Sequence, residues 1–187
     1  YIGATTSRDV PKIMAIASQG SSLYIYEISP EMIQGKKGTI CSGYWELTPE
    51  TGLVEGKLPV ATSAYFDRMF YYAVGNKIYR ADLTRSTPRS YEIYAHPDPS
   101  VRITRLKFRS QREDRWDISG GDEVEAIPYD FVSYLGGVAE YPDGNCSMLE
   151  MKLTAAGEIA KEEGTKDLMV YEFKGFKNVV DFVYAFK

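Results

Sequence analysis

A hairpin plan that recurs three times is the feature that most limits what this chain can fold into. KIMAIA (12–17) and LYIYEI (23–28) are joined by SQGSS, and MFYYAV (69–74) and KIYRADL (77–83) by Gly75-Asn76. YLGGVAEY (134–141) and MLEMKL (148–153) are joined by Pro142-Asp143-Gly144-Asn145. Turn residues sit in all three links, where Gly and Asn supply the positive φ that a tight hairpin needs. The second run of each pair also follows one loose pattern, with large residues followed by a charge (Glu27, Asp82, Lys152) and then Ile or Leu. An aromatic share of 13%, with fifteen tyrosines, agrees with strands, because flat rings fit a pleated, half-buried surface.

The plan extends outward from each hairpin. VATSAYF (60–66) and ITRLKF (103–108) precede the second and third, YEIY (91–94) and MVYEF (169–173) follow them, and ICSGYWEL (40–47) follows the first. The unit is strand, strand, tight hairpin, strand and outer strand over roughly 43 residues, close to the length of one propeller blade. The sequence therefore predicts an all-β, β-propeller-like chain of about three blade-like antiparallel units, at residues 10–57, 58–102 and 103–178, with a closing strand at 179–187. The first unit is expected to lack its innermost strand, and VVDFVYAF (179–186) to begin a fourth unit. Three units are fewer than the four to eight that close a propeller, so the expected whole is part of a larger propeller. A compact assembly of the three sheets alone is the competing arrangement.

Composition excludes some partners. With 22 basic and 26 acidic residues the net charge is −4, and no stretch gathers Lys and Arg into a stripe for a phosphate backbone, so nucleic acid is not expected. No run of eighteen apolar residues is present to span a bilayer as a helix. The chain opens on Tyr1 without a signal peptide, and an upstream segment is compatible with that start. Cys41 and Cys146 lack the CxxC spacing or neighbouring His of a zinc site and read as two separately buried thiols, with a disulfide as the other possibility. No metal and no cofactor is expected.

Candidate chemistry is sparse in the residues. His96, the only histidine, sits in YAHPDPS and reads first as a polar loop residue, since a catalytic His needs a nucleophile or carboxylate brought to it in space. DISGGDEVE (117–125) gathers four carboxylates but lacks the spacing of a calcium loop, and reads as a solvated acidic loop. No pair of carboxylates is singled out for glycoside hydrolysis. Two long irregular segments, 29–57 and 109–130, fall outside the regular plan, and loops of that length are usually functional or disordered. They carry both tryptophans, so the weak candidates for ligand or partner contact are Tyr44 and Trp45 in the first and Trp116 and Tyr129 in the second. Trp45 lies in a strand and reads first as core.

The order ITRLKF, a long charged loop, YLGGVAEYPDGNCSMLEMKL and then MVYEFKGFKNVVDFVYAFK resembles the C-terminal part of Bacteroidetes PKD-like surface lipoproteins. That resemblance implies an exported chain, lipid-anchored in its full-length form on the extracellular face of the outer membrane or in the periplasm. It also implies a role in binding, accessory to nutrient uptake. PKD modules and a lipidated cysteine do not occur in this sequence, and Cys41 is too far from the start to be that cysteine. The expected function is a non-enzymatic binding or scaffold module whose partner is a glycan or peptide ligand, or subunits of an outer-membrane uptake complex. The alternative is a polysaccharide-cleaving enzyme on a propeller frame, with its site completed by further blades.

Overall fold

The computed structural model describes residues 2–6, 11–19, 22–28, 41–49, 61–64, 69–83, 88–113 and 130–185. Among them lie twelve β-strands and no helix. The strands are β1 (Ile2–Thr6), β2 (Pro11–Gln19), β3 (Ser22–Ile28), β4 (Cys41–Pro49), β5 (Ala61–Ala64) and β6 (Met69–Val74). They continue with β7 (Lys77–Asp82), β8 (Arg89–Ala95), β9 (Arg102–Glu113), β10 (Asp130–Glu140), β11 (Asn145–Leu153) and β12 (Val170–Lys177). Each consecutive set of four forms an antiparallel meander, so the chain is all-β and built as three four-stranded sheets. A short parallel pairing, Thr48 with Arg89 and Pro49 with Ser90, joins the outer strands of the first two sheets.

The hairpins read from turn residues form where expected. Val74 pairs with Lys77 around Gly75-Asn76, and Glu140 pairs with Cys146 around the Pro142–Asn145 turn. The Gly75-Asn76 turn is also tied to the chain that follows it. The Asn76 carbonyl accepts from the His96 amide at 2.8 Å, and the Gly75 carbonyl from the Ile103 amide at 2.8 Å. One tight turn thereby fixes both the end of β8 and the start of β9.

Two expectations about the chain ends are corrected. The first unit is complete: Ile2–Thr6 pairs with Pro11–Ala15 as its first strand. IGATT has no long apolar run to announce it, yet its small and β-branched residues fit an edge strand. At the other end, residues 178–185 form no strand. Asn178 adopts a left-handed backbone (φ 51°) that breaks away from β12, and the segment lies across the face of β9 and β10.

The middle sheet carries the packing because alternate residues of a strand point to opposite faces. On β6 and β7, Phe70, Tyr72, Tyr79 and Ala81 join Leu23, Ile25 and Leu47 of the first sheet in one core. Tyr71, Ala73 and Ile78 join Ile103, Leu106, Leu135, Leu149 and Met151 of the third sheet in another. Tyr72 stacks on Tyr79 with ring centroids 5.3 Å apart and planes 18° from parallel. Burial pushes the Tyr72 hydroxyl up to about 12, so it stays neutral at any ordinary pH. Full burial of each such side chain contributes about 1.5–3 kcal/mol, and Phe70→Ala should cost about 3–5 kcal/mol once the cavity it leaves is included.

The loop after β11 is hydrogen-bonded to the second sheet. The Tyr71 hydroxyl donates to the Gly157 carbonyl at 2.9 Å, and the Arg80 guanidinium donates to the adjacent Ala156 carbonyl. Gly157 has φ +74°, and a Cβ there would lie 2.7 Å from the Tyr71 hydroxyl oxygen. Gly164 has a matching φ of +76° with open space around it. Gly157→Ala should therefore destabilise by about 2–4 kcal/mol through strain and the lost bond, and Gly164→Ala by about 1–2 kcal/mol through strain alone. Chemical denaturation of both variants measures the difference. Equal losses would mean that the Tyr71 contact does not tie that loop to the second sheet.

Candidate functional site

The residues singled out in the sequence separate in the structure. Trp116 and Tyr129 lie outside the described residues, as does the acidic DISGGDEVE segment. Tyr44 falls on β4, opposite Tyr26 of β3, and its side chain is outside the described set. Trp45 is half-buried against the core shared by the first and second sheets. Cys146 is a buried free thiol.

Polar groups converge instead where β8, the hairpin between β10 and β11, and β12 meet. His96, immediately after β8, is 5% exposed. The Asp98 amide donates to its Nδ1 at 3.1 Å. Among the described residues its Nε2 has no hydrogen-bond partner, and it lies 3.7 Å from Oε1 of Glu172 on β12, beyond hydrogen-bond distance. The Tyr141 hydroxyl donates to the same Glu172 oxygen at 2.8 Å, and Lys174 Nζ lies 3.8 Å from Oε2. The rings of Tyr94 and Tyr141 meet His96 edge-on, with centroids 6.4 and 6.0 Å away.

The Glu172 carboxyl is held below its ordinary range. Burial on its own would raise it, but the Ser147 and Tyr141 hydroxyls, with Lys174 and His96 behind them, outweigh that. Burial pushes the neighbouring Tyr94 hydroxyl the other way, up to about 12, with Glu172 and Tyr141 adding to it. The cluster therefore holds an ionised carboxylate beside the neutral Tyr94 phenol.

A cavity of about 420 Å³ opens beside this cluster, lined by Tyr141, Asp143, Asn145, Cys146, Ser147, Lys174, Gly175 and Phe176. A β-bulge shapes it: the β11–β12 register shifts between Cys146 and Ser147, leaving Gly175 as the extra residue at φ +103°. Only a glycine adopts that backbone cheaply, and bulges of this kind re-aim the side chains beside them, here Lys174 and Phe176. On the opposite wall Asp143 is fixed, its Oδ1 accepting from the Asn145 amide at 2.9 Å and its Oδ2 from Asn145 Nδ2 at 2.5 Å.

A second feature lies on the far face of the third sheet, away from the middle one. Arg105, Lys107 and Arg109 project from alternate positions of β9 and hold the 178–185 segment. Arg105 Nε donates to the Val180 carbonyl at 2.7 Å, and Lys107 Nζ bridges to Asp181 at 2.9 Å. Lys107 and Arg109 also lie over the rings of Phe182 and Tyr184, at 5.4 and 4.9 Å. Tyr184 sits in a seat that exists because Gly136 has no side chain, since a Cβ there would overlap its hydroxyl. The segment turns Val180 and Val183 outward, 76% and 79% exposed, while β12 leaves Tyr171 and Phe173 44% and 54% exposed.

No protein-family model, curated protein or solved structure matches this chain.

The acid limb of stability tests the geometry around Glu172. A carboxyl whose folded value is depressed contributes stability above its unfolded value, about 4.3, and loses it as pH falls through the folded value. Glu172→Gln should be less stable than the parent at neutral pH, and its melting temperature should fall less between neutrality and about pH 3. Parallel melting curves for the two proteins across that range would show that Glu172 is not held by its neighbours.

Proposed function

We propose that the chain is a non-enzymatic binding or scaffold module built on a propeller-like frame. In this reading it works outside the cytoplasm at a bacterial surface, as an accessory to uptake of a glycan or peptide. The blade-like reading draws support from three successive four-stranded meanders and from the way each sheet meets the next. The first strand of the third sheet, β9, packs against β5 and β6, and the 178–185 segment lies against β9 and β10. Surface localisation rests on the resemblance in the order of the C-terminal strands, and lipid anchoring would belong to a longer chain.

The observation that carries a binding or scaffold role is where exposed apolar side chains fall. Among the described residues, every large hydrophobic that is exposed lies between Leu168 and Val183. Scattered single apolar residues need no explanation, whereas a gathered patch marks an interaction surface. Tyr171 and Phe173, two apart on β12, and Val180 and Val183 in the segment after it are the exposed apolar side chains this reading takes as its contact surface, on a frame whose central strands β6 and β7 are buried on both faces.

Co-expression of the chain with outer-membrane uptake subunits, followed by size-exclusion chromatography, tests the scaffold arm. Co-elution is expected with the parent chain and should be lost in Phe173→Asp and Val183→Asp, whose melting temperatures should stay near the parent value because both side chains are exposed. Absence of co-elution, together with no saturable binding of any glycan or peptide in calorimetric titration, would overturn the reading.

A further inference from the structure

The cavity between the β10–β11 hairpin and the β12 bulge has a chemistry more specific than its size, which falls within the roughly 300–1,000 Å³ of small-ligand sites. Its walls carry two formal charges, the Lys174 ammonium and the Asp143 carboxylate. They are opposite in sign and offset one another, so the walls carry no net charge that would select an anion or a cation. Hydrogen-bonding groups are nevertheless dense. Asp143, Asn145, Tyr141 and Lys174 line it with side chains that carry donors or acceptors.

The Asp143 and Asn145 pair is set before any ligand arrives. Each Asp143 oxygen takes one hydrogen bond from Asn145, and each keeps a further lone pair. Two acceptor oxygens side by side match two adjacent hydroxyl groups. The turn that carries them is closed by the Tyr141 amide donating to the Asn145 carbonyl at 2.9 Å and the Gly144 amide to the Tyr141 carbonyl at 3.0 Å. Little ordering cost is left for binding.

The remaining wall is apolar and aromatic. Phe176 is re-aimed by the Gly175 bulge and leaves 43% of its surface open, and the Tyr141 ring stands near it with its hydroxyl held by Glu172. A neutral molecule with vicinal hydroxyls on its rim and a C–H face for an aromatic ring is a sugar. We propose that this cavity is a subsite for one neutral sugar residue of a glycan, bound through its vicinal hydroxyls to Asp143 and Asn145 and through its apolar face to Phe176. The assignment rests on the binding reading above and names its ligand class and residues.

Calorimetric titration of the full chain with neutral oligosaccharides, uronic-acid and amino-sugar oligomers and short peptides tests it. Saturable binding of a neutral oligosaccharide is expected. Phe176→Ala should weaken it about tenfold through loss of the aromatic contact. Asp143→Asn, which keeps the shape but replaces one acceptor oxygen, should weaken it by a similar factor. Glu163→Gln, in an exposed turn outside the cavity, should leave it unchanged. Unchanged affinity in both cavity variants would overturn the subsite while leaving the binding module standing. Preference for charged sugars or peptides would overturn the ligand class. Failure of every ligand to bind would overturn the subsite, and the partner co-elution described above would then decide the broader reading separately.

Discussion

The burial of two central strands, β6 and β7, on both faces governs the rest of this structure. β6 and β7 carry Phe70, Tyr72, Tyr79 and Ala81 on one side and Tyr71, Ala73 and Ile78 on the other. A sheet exposed on one face can alternate apolar and polar residues, but MFYYAV cannot, because both sets must leave water. The first and third sheets exist as layers because they supply those two covers. Polar groups inside this stack must then find partners, and the Tyr71 hydroxyl does so on the Gly157 carbonyl of the loop after β11.

That stacking also determines where chemistry can gather. Side chains within the two cores have no access to solvent, so reactive or binding groups collect where strands end. The Gly75-Asn76 turn holds the start of β9 and the backbone of His96 at once. His96 is thereby placed against Glu172 and Tyr141 of the third sheet, at the rim of the interface between sheets. From there β12 departs from regular pairing at Gly175, which opens the cavity beside the cluster. Fold and candidate site are thus linked through a turn and a bulge, each made by a glycine in a backbone that other residues adopt at a cost.

Much of the strand plan is legible in sequence because its turns are chemically marked. Gly75-Asn76 and Pro142-Asp143-Gly144-Asn145 locate two hairpins, and the flanking aromatic runs supply the strands. The first strand is not legible, since IGATT is short and lacks a long apolar alternation. The terminal VVDFVYAF misleads for the opposite reason. Its alternation looks like a paired strand, but in the structure Phe182 and Tyr184 pack on the basic residues of β9 while Val180 and Val183 face out. Side-chain packing on a sheet face and backbone pairing at a sheet edge leave the same period of two. The candidate site is less legible still. His96 and Glu172 are joined only by the stacking of two sheets, and no local spacing relates them. KGFK, with a glycine interrupting an alternating outer strand, was the one local signal of the bulge that shapes the cavity.

Native-state amide hydrogen exchange tests most directly the claim that the doubly covered central strands β6 and β7 hold the structure together. Amides of Phe70–Ala73 and Ile78–Ala81 should exchange slowest in the chain, at a rate matching global unfolding, with those of β12 on the exposed edge much faster. Exchange of β6 and β7 as fast as β12, or well ahead of global unfolding, would contradict it.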